Sequence, residues 1–166
     1  SAAIGTAATT TNITELDADV TYDIASTASI SEELEETATF TISLGGDALE
    51  GSNTSSVTVT PTGSATSGTD YDAFLTAVDT AATATTGVTH SGGGVLTFDA
   101  SFNSGTGTGD FVFTVDAIDD QTDEGTETII GTLSGESVLH GSAAIGTAAT
   151  TTNITELDAD VTYDIA

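Results

Sequence analysis

Acidic side chains are gathered in four short segments of the chain, and their chemistry is that of hard oxygen ligands. The segments contain Glu32, Glu33, Glu35 and Glu36; Asp70 and Asp72; Asp119, Asp120, Asp123, Glu124 and Glu127; and Glu156, Asp158 and Asp160. Ca²⁺ takes about six to eight oxygen ligands at roughly 2.3–2.6 Å, so these groups could bind it if the fold brings them together. A single acidic loop is more often a solvated turn, and the calcium interpretation depends on the number of such loops.

These acids have no Lys or Arg partner anywhere in the sequence. Among 166 residues there are 26 Asp and Glu, no Lys or Arg and two His, so the formal net charge is −26. Two carboxylates about 4 Å apart repel by about 1 kcal/mol in water and about 4 kcal/mol at an effective dielectric constant of about 20. Bound metal cations are the obvious counter-charge. The same balance excludes nucleic acid as a partner and a basic membrane-binding surface, because no side chain could neutralise phosphate.

The chain is nonetheless expected to fold. Hydrophobic residues make up 37% of it, which is more than a disordered polyacid would carry. No apolar run approaches the roughly 18 residues of a membrane-spanning helix, so we expect no direct membrane insertion. Cys is absent, which removes disulfides and thiolate ligands from consideration.

An internal repeat indicates how the chain is organised. Residues 1–25 and 142–166 are identical at all 25 positions, at an offset of 141 (142 − 1). Such identity predicts a long array of near-identical modules, each large enough to have its own core; an engineered duplication is the alternative. We therefore assign residues 1–16 to the tail of a preceding repeat, 17–158 to one module and 159–166 to the start of the next.

Two pairs of acids mark the predicted junction between modules. Asp17 and Asp19 are expected at one pole of the module, and Asp158 and Asp160 at the other. A Ca²⁺ ion bound between consecutive modules could stiffen the array there.

Alternation of apolar and polar residues, which is the period of a β-strand, runs through most of the chain. The candidate strands are Ile24–Ile30, Thr37–Leu44, Ser56–Thr60, Val95–Phe98, Phe111–Ile118, Glu127–Leu133 and Ala143–Ile154. About seven strands around one core predict an all-β fold, a seven-strand antiparallel β-sandwich of the immunoglobulin-like type. The aromatic residues expected in its core are Phe40, Tyr71, Phe98, Phe111 and Phe113.

Several segments taken together resemble a Calx-β domain. They are Glu32 or Glu33 followed by TATFTISL, then SVTVT, then GTDY at residues 68–71, LTF at 96–98 and FVFTVDAIDDQTDEGTETIIGTL at 111–133. The most specific is the stretch I-D-D-x3-E-x2-E, which begins at Ile118 and ends at Glu127. This family includes calcium-sensing domains of the sodium–calcium exchanger and repeats of large bacterial surface proteins.

The resemblance implies a seven-strand sandwich that binds several Ca²⁺ ions at one pole. It implies as ligands Asp70, Asp119, Asp120, Glu124 and Glu127, together with Glu32 or Glu33, between which the sequence does not choose. The family often ends on an Asp triplet, and here Glu156, Asp158 and Asp160 take its place as expected ligands. The stretch from Phe74 to Gly94 is longer than usual in the family and is expected to be an inserted loop. Its alanine-rich part, Ala73–Ala84, allows a short turn of helix.

The sequence therefore predicts a calcium-binding structural repeat, a Ca²⁺-rigidified spacer of a large secreted or cell-surface bacterial adhesin. Its partners would be Ca²⁺ ions and adjacent copies of the same repeat. A calcium-sensing regulatory domain is the first alternative, and a surface- or ice-binding module, suggested by Thr-x-Thr pairs, is the second. We expect no enzymatic activity, because a chain without Lys, Arg or Trp lacks the groups that hold a sugar or stabilise an anion.

Overall fold

The computed structural model describes residues 16–120 and 124–156, and β-structure dominates both segments. The elements are β1 (Ala18–Ser26), β2 (Ser29–Ser31), β3 (Thr37–Gly46), β4 (Thr54–Thr62), α1 (Phe74–Ala84), β5 (Val88–His90), β6 (Val95–Asp99), α2 (Phe102–Gly105), β7 (Gly109–Asp116), β8 (Glu127–Val138), β9 (Gly141–Ile145) and β10 (Ala149–Thr155). Neither helix in these segments has the length and apolar character needed to cross a membrane.

The strands form two sheets that enclose one core. One sheet has the strand order β7-β3-β1-β9, and the other has the order β2-β10-β8-β4-β6-β5. The predicted all-β sandwich is confirmed. The strand pairings are antiparallel as predicted except for two, because β1 pairs with β9 and β2 pairs with β10 in parallel.

The strand count differs from seven because two predicted strands are divided between the sheets. The segment expected as Ile24–Ile30 breaks into β1 and β2, and the segment expected as Ala143–Ile154 breaks into β9 and β10. When each divided strand is counted once, the described residues contain eight strands. The additional strand is β5, which lies at the edge of the larger sheet.

Backbone hydrogen bonds show how the last strand changes sheet. The Thr147 carbonyl accepts from the Ile24 N–H in the first sheet at 3.1 Å, and the next carbonyl, that of Ala148, accepts from the Leu133 N–H in the second sheet at 2.7 Å. The chain therefore passes from one ladder to the other across residues 146–148, which are exposed and lie between β9 and β10.

An aromatic cluster fills the space between the sheets. All five predicted core aromatics are buried. Phe40 and Phe113 stack with their ring centroids 5.3 Å apart, and the ring of Phe74 meets both edge-on at 5.2 and 5.0 Å. Such edge-to-face geometry suits the quadrupole of the rings and adds to the hydrophobic burial.

The segment expected to be an inserted loop instead contains α1 and β5. Phe74 begins α1 fully buried, and Val78 and Ala82 follow at four-residue spacing on the same buried face. This spacing places the three side chains on one stripe of the helix. The helix packs against β5 and β7 and is part of the core rather than an addition to the surface.

Replacing Phe74 with Ala tests this assignment. Removing a fully buried ring that contacts two others should lower the free energy of unfolding by about 3–5 kcal/mol, since the remaining cavity cannot be filled. Val112→Ala, at a side chain that is 47% exposed, should cost far less. Chemical denaturation of the two variants measures both values, and equal losses would mean that α1 does not belong to the core.

Candidate metal centre

Four loops meet at one end of the sandwich, which we call the acidic pole. It is defined by Glu32, Asp70, Asp120, Glu124, Glu127 and Glu156. Each side chain follows or begins an element whose pairing carries it there, so the sheet hydrogen bonds position the acids. The loop between β7 and β8 also contains residues 121–123, among them Asp123, which lie outside the described residues.

Glu32 is held by a tight turn that follows β2. Its N–H donates to the Thr155 carbonyl at 3.2 Å, which continues the pairing of β2 with β10. The Glu35 N–H donates to the Glu32 carbonyl at 2.8 Å, and Glu35 has a left-handed φ of 48°. Glu32 is consequently only 3% exposed, whereas Glu33 is exposed. Of the two alternatives that the sequence left open, the structure brings Glu32 into the interior of the pole.

Asp70 is carried to the pole by a short bridge to the end of β7. Tyr71 pairs with Ala117, and the Asp70 carbonyl accepts from the Ile118 N–H at 3.0 Å. Asp70 itself is 3% exposed. Glu32 and Asp70 are the buried acids of the described residues, and both lie at this one pole.

Glu127 and Glu156 come from neighbouring strands. Glu127 is the first residue of β8 and pairs with Ile154 of β10, so Glu156 follows two residues further along the same edge. The side chain of Glu127 hydrogen-bonds to Asp70, and that of Glu156 hydrogen-bonds to Glu32. In each pair the neighbouring carboxyl group favours the protonated form of the glutamate whose pKa is raised, Glu127 in the first pair and Glu32 in the second.

The titration of these acids reflects burial and mutual repulsion. Burial raises the pKa of Glu32 to about 7, opposed by the hydrogen bond from the Asp120 backbone and reinforced by the charge of Glu156. Burial also raises the pKa of Glu127 to about 7, and its hydrogen bond to Asp70 acts in the same direction. The charge of Asp70 raises the pKa of Glu124 above its ordinary value.

The geometry of three of these acids fits a cation. One carboxylate oxygen from each of Asp70, Glu124 and Glu127 lies within 4.8 Å of the other two. Oxygens on opposite sides of a Ca²⁺ ion are separated by about 5 Å, twice a bond of roughly 2.5 Å, so one ion could contact all three.

Two buried carboxyl oxygens at the pole lack a hydrogen-bond donor. Glu127 Oε2 and Glu156 Oε2 are buried, with no hydrogen-bond partner among the described residues. An unsatisfied buried acceptor costs about 1–3 kcal/mol, and more when it is charged. A bound cation would satisfy an oxygen of this kind, so the donor set fits Ca²⁺ in charge and in ligand type.

The other predicted ligands are placed as follows. Asp120 lies at the acidic pole, where its backbone N–H donates to Glu32 Oε1 at 3.3 Å and its charge acts on Glu32 and Glu124. Asp119 is exposed in the same loop. Asp158 and Asp160 lie outside the described residues, as do residues 1–15, so the module boundaries and the junction remain predictions.

The opposite end, which we call the Asn53 pole, is defined by Leu16, Asp47, Gly51, Asn53 and His140. Asp17 and Asp19 lie at this end; the Asp19 N–H donates to Asp47 Oδ2 at 3.2 Å, and Asp17 lines a small cleft with Asp47. Asp17 and Asp19 therefore lie far from the acidic pole, around the start of β1.

Sequence reasoning missed the residue that organises the Asn53 pole. Asn53 is fully buried, and its Nδ2 donates to the Leu16 and His140 carbonyls at 2.7 and 2.9 Å. Its Oδ1 accepts from the His140 N–H at 3.0 Å. The sequence presents it only as one Asn-Thr-Ser among many threonines, and no signal there indicates burial.

Among solved structures, the fold of this chain is similar to that of a Calx CBD1 domain. The crystal structure of the apo form of that domain matches with a TM-score of 0.53 and 17% identity, over 84% of this chain and 98% of that one. The structure of CBD12 from CALX1.2 matches with a TM-score of 0.51 and 18% identity, over 84% of this chain and 46% of that one. No family model and no curated protein matches the sequence. At such identity the likeness establishes the fold alone.

The raised pKa values predict how metal-free stability depends on pH. Glu32 and Glu127 titrate near pH 7 when folded, against an ordinary value of 4.5, so between these values the folded chain binds more protons than the unfolded chain. The free energy of unfolding must then fall as pH rises through this window. We expect the melting temperature of the metal-free chain to be several degrees lower at pH 8 than at pH 5. The double variant Glu32→Gln, Glu127→Gln should flatten the profile, and Glu50→Gln, at the Asn53 pole, should leave it intact. A wild-type profile that rises with pH would contradict the assigned burial.

Proposed function

We propose that this chain is a Ca²⁺-binding β-sandwich module that works as a structural repeat of a large secreted or cell-surface bacterial adhesin. The observation that carries the proposal is the acidic pole, where two acid–acid pairs and two donor-less buried oxygens converge in a chain without Lys or Arg. Calcium binding is also what the Calx-β resemblance of the sequence implies, and the similarity to a Calx CBD1 fold supports it.

Residues from four loops would hold the ion or ions. Asp70, Glu124 and Glu127 form the compact set, and Glu32, Asp120 and Glu156 stand beside it. The bound cation supplies positive charge and ligand bonds that tie together loops far apart in sequence. A ligand that binds only the folded state adds about 2.7 kcal/mol per site at a hundred times its Kd.

The repeat supports a mechanical role for the module. Copies that are identical over 25 residues are poorly suited to recognising many different ligands, but they are well suited to building length. A spacer of this kind holds a distal binding domain away from the cell. The extracellular location follows from that role. It also fits the weak calcium affinity, in the millimolar range, that is typical of extracellular calcium-binding modules.

A calcium-sensing regulatory domain is the second candidate. One observation favours this second candidate, which is the similarity of the fold to that of a Calx CBD1 domain crystallised in its apo form. The two candidates place Ca²⁺ on the same residues and differ in the concentration at which it binds.

Calcium should stabilise the chain through the acidic pole in particular. We expect the melting temperature to rise by at least 5 °C in millimolar Ca²⁺ relative to chelator, because each occupied site adds a few kcal/mol to the folded state. Glu127→Gln should remove most of this rise. Glu50→Gln makes the same change in charge at an exposed position of the other pole and should keep it. Equal loss in both variants would show diffuse charge screening, and equal midpoints with and without Ca²⁺ would refute the calcium proposal.

Calorimetric titration separates the spacer from the sensor. A spacer in millimolar calcium needs a Kd of only about 10⁻⁴–10⁻³ M, whereas a sensor needs about 10⁻⁷–10⁻⁵ M. We expect the weaker range, since Glu32 and Glu127, whose pKa values are raised to about 7, must be deprotonated before they bind the ion. Submicromolar affinity would favour the regulatory alternative. The measurement at pH 7.5 should also show proton release, detected as a dependence of the heat on the buffer.

A further inference from the structure

The chain crosses the module from one pole to the other. At the start of β1 the Ala18 N–H donates to the His140 carbonyl at 3.1 Å, which places this residue at the Asn53 pole. At the end of β10 the Thr155 carbonyl accepts from the Glu32 N–H, which places that residue at the acidic pole. The polypeptide therefore comes in at one end of the sandwich and leaves at the opposite end.

The residues next to these two points are themselves anchored. The Leu16 carbonyl accepts from Asn53 Nδ2 at 2.7 Å, and Leu16 Cδ2 lies so close to Gly51 that a Cβ on that glycine would be 3.2 Å away. At the other end the Glu156 side chain hydrogen-bonds to Glu32, and its Oε2 is buried. Leu16 is thus part of the Asn53 pole, and Glu156 is part of the acidic pole.

In the repeated sequence these two anchors become neighbours. At the offset of 141, Leu157 is the copy of Leu16, and Glu156 immediately precedes it. Consecutive Cα atoms are about 3.8 Å apart. If a following copy holds its leucine as this one holds Leu16, no unanchored residue remains between the two modules.

We propose that consecutive copies stack with the acidic pole of one in direct contact with the Asn53 pole of the next. The partner of this surface is a second copy of the same chain, and the proposal rests on the tandem, calcium-binding role given above. Because the linker has no free residue, the stacked copies form one stiff rod and not a series of modules joined by flexible linkers.

Charge makes this contact dependent on cations. The acidic pole would face Asp17, Asp47 and Glu50, which line the cleft beside Leu16 at the Asn53 pole. The chain has no Lys or Arg to place between them. Like charges at such short range repel, so the poles can close only while cations neutralise the acidic one.

A chain lengthened by one further 141-residue period tests the contact. The protein has no Cys, so Thr114→Cys in both copies, on an exposed position of β7, gives two unique sites for spin labels. Since β8 alone spans about 40 Å at roughly 3.3 Å per residue, the labels of stacked copies should be at least about 40 Å apart. We expect one narrow distance distribution in Ca²⁺ and a broad one in chelator.

Matched insertions make the test specific. Gly-Ser-Gly-Ser placed between Glu156 and Leu157 should broaden the distribution even in Ca²⁺. The same four residues between Gly92 and Gly93, where nothing lies within 4 Å of either glycine's Cβ position, should leave it narrow. A broad distribution in Ca²⁺ without insertion, or a narrow one with the first insertion, overturns the proposal.

A thermal melt of the same samples separates the two hypotheses. If Ca²⁺ raises the melting temperature but the distances stay broad, the calcium module stands and the pole-to-pole contact fails. If the distances are narrow but Ca²⁺ changes neither the melt nor the width, the stacked contact stands, and both its cation dependence and the calcium module fail.

Discussion

The placement of acidic side chains in this structure depends on one constraint, which is their mutual repulsion. The chain has no Lys or Arg to oppose it. The chain carries a formal charge of −26. Among its described residues two acids are buried, Glu32 and Asp70. Both lie at the acidic pole. The other acids of the described residues remain at least partly exposed to water, where a high dielectric and salt weaken their interaction. The cost of burial is thus confined to one end of the sandwich, where a single kind of ligand can remove it.

The sheets, and not the acids, hold that end together. Parallel pairing of β2 with β10 sets Glu32 beside Glu156, antiparallel pairing of β8 with β10 sets Glu127 near both, and the Tyr71–Ala117 bridge delivers Asp70. These ladders are anchored in an aromatic core that contains no charge. The fold can therefore hold these carboxyl groups together against their mutual repulsion, at the cost that the raised pKa values of Glu32 and Glu127 express.

Much of this fold was predictable because period-2 alternation and Phe positions are local signals. The division of the terminal strands was not, because only the partner strands decide which sheet each half of Ile24–Ile30 joins. Helix α1 was predicted only as a possible short turn, because its buried face consists of Phe74, Val78 and Ala82 within an alanine-rich stretch that offers little contrast.

The acidic pole was predictable as a set of segments but not as a geometry. Glu32 and Glu33 are equivalent in sequence, and the structure distinguishes them, because the Glu32 N–H continues the pairing of β2 with β10. Asn53 was invisible, since a buried Asn is defined by the carbonyls it bonds, and those belong to Leu16 and His140, distant along the chain.

The same topology determines how the module would carry force. β1 leads from the Asn53 pole, and the chain leaves through β10 at the acidic pole, so tension on the two ends draws the first and last strands in opposite directions. The two halves of the first strand pair in parallel with the two halves of the last strand. β1 pairs with β9 over five residue pairs, and β2 pairs with β10 over three. Pulling parallel neighbours in opposite directions shears their ladders, and every hydrogen bond of a sheared ladder bears load together, whereas a hairpin pulled at its open end loses its bonds one at a time. Glu32 and Glu156 lie just beyond the β2–β10 ladder, at the end where the chain leaves. A cation bound between Glu32 and Glu156 would cross-link β2 and β10, the strands that must slide past each other when the module begins to unfold under force. The ion that relieves the repulsion would therefore also lie where tension is applied.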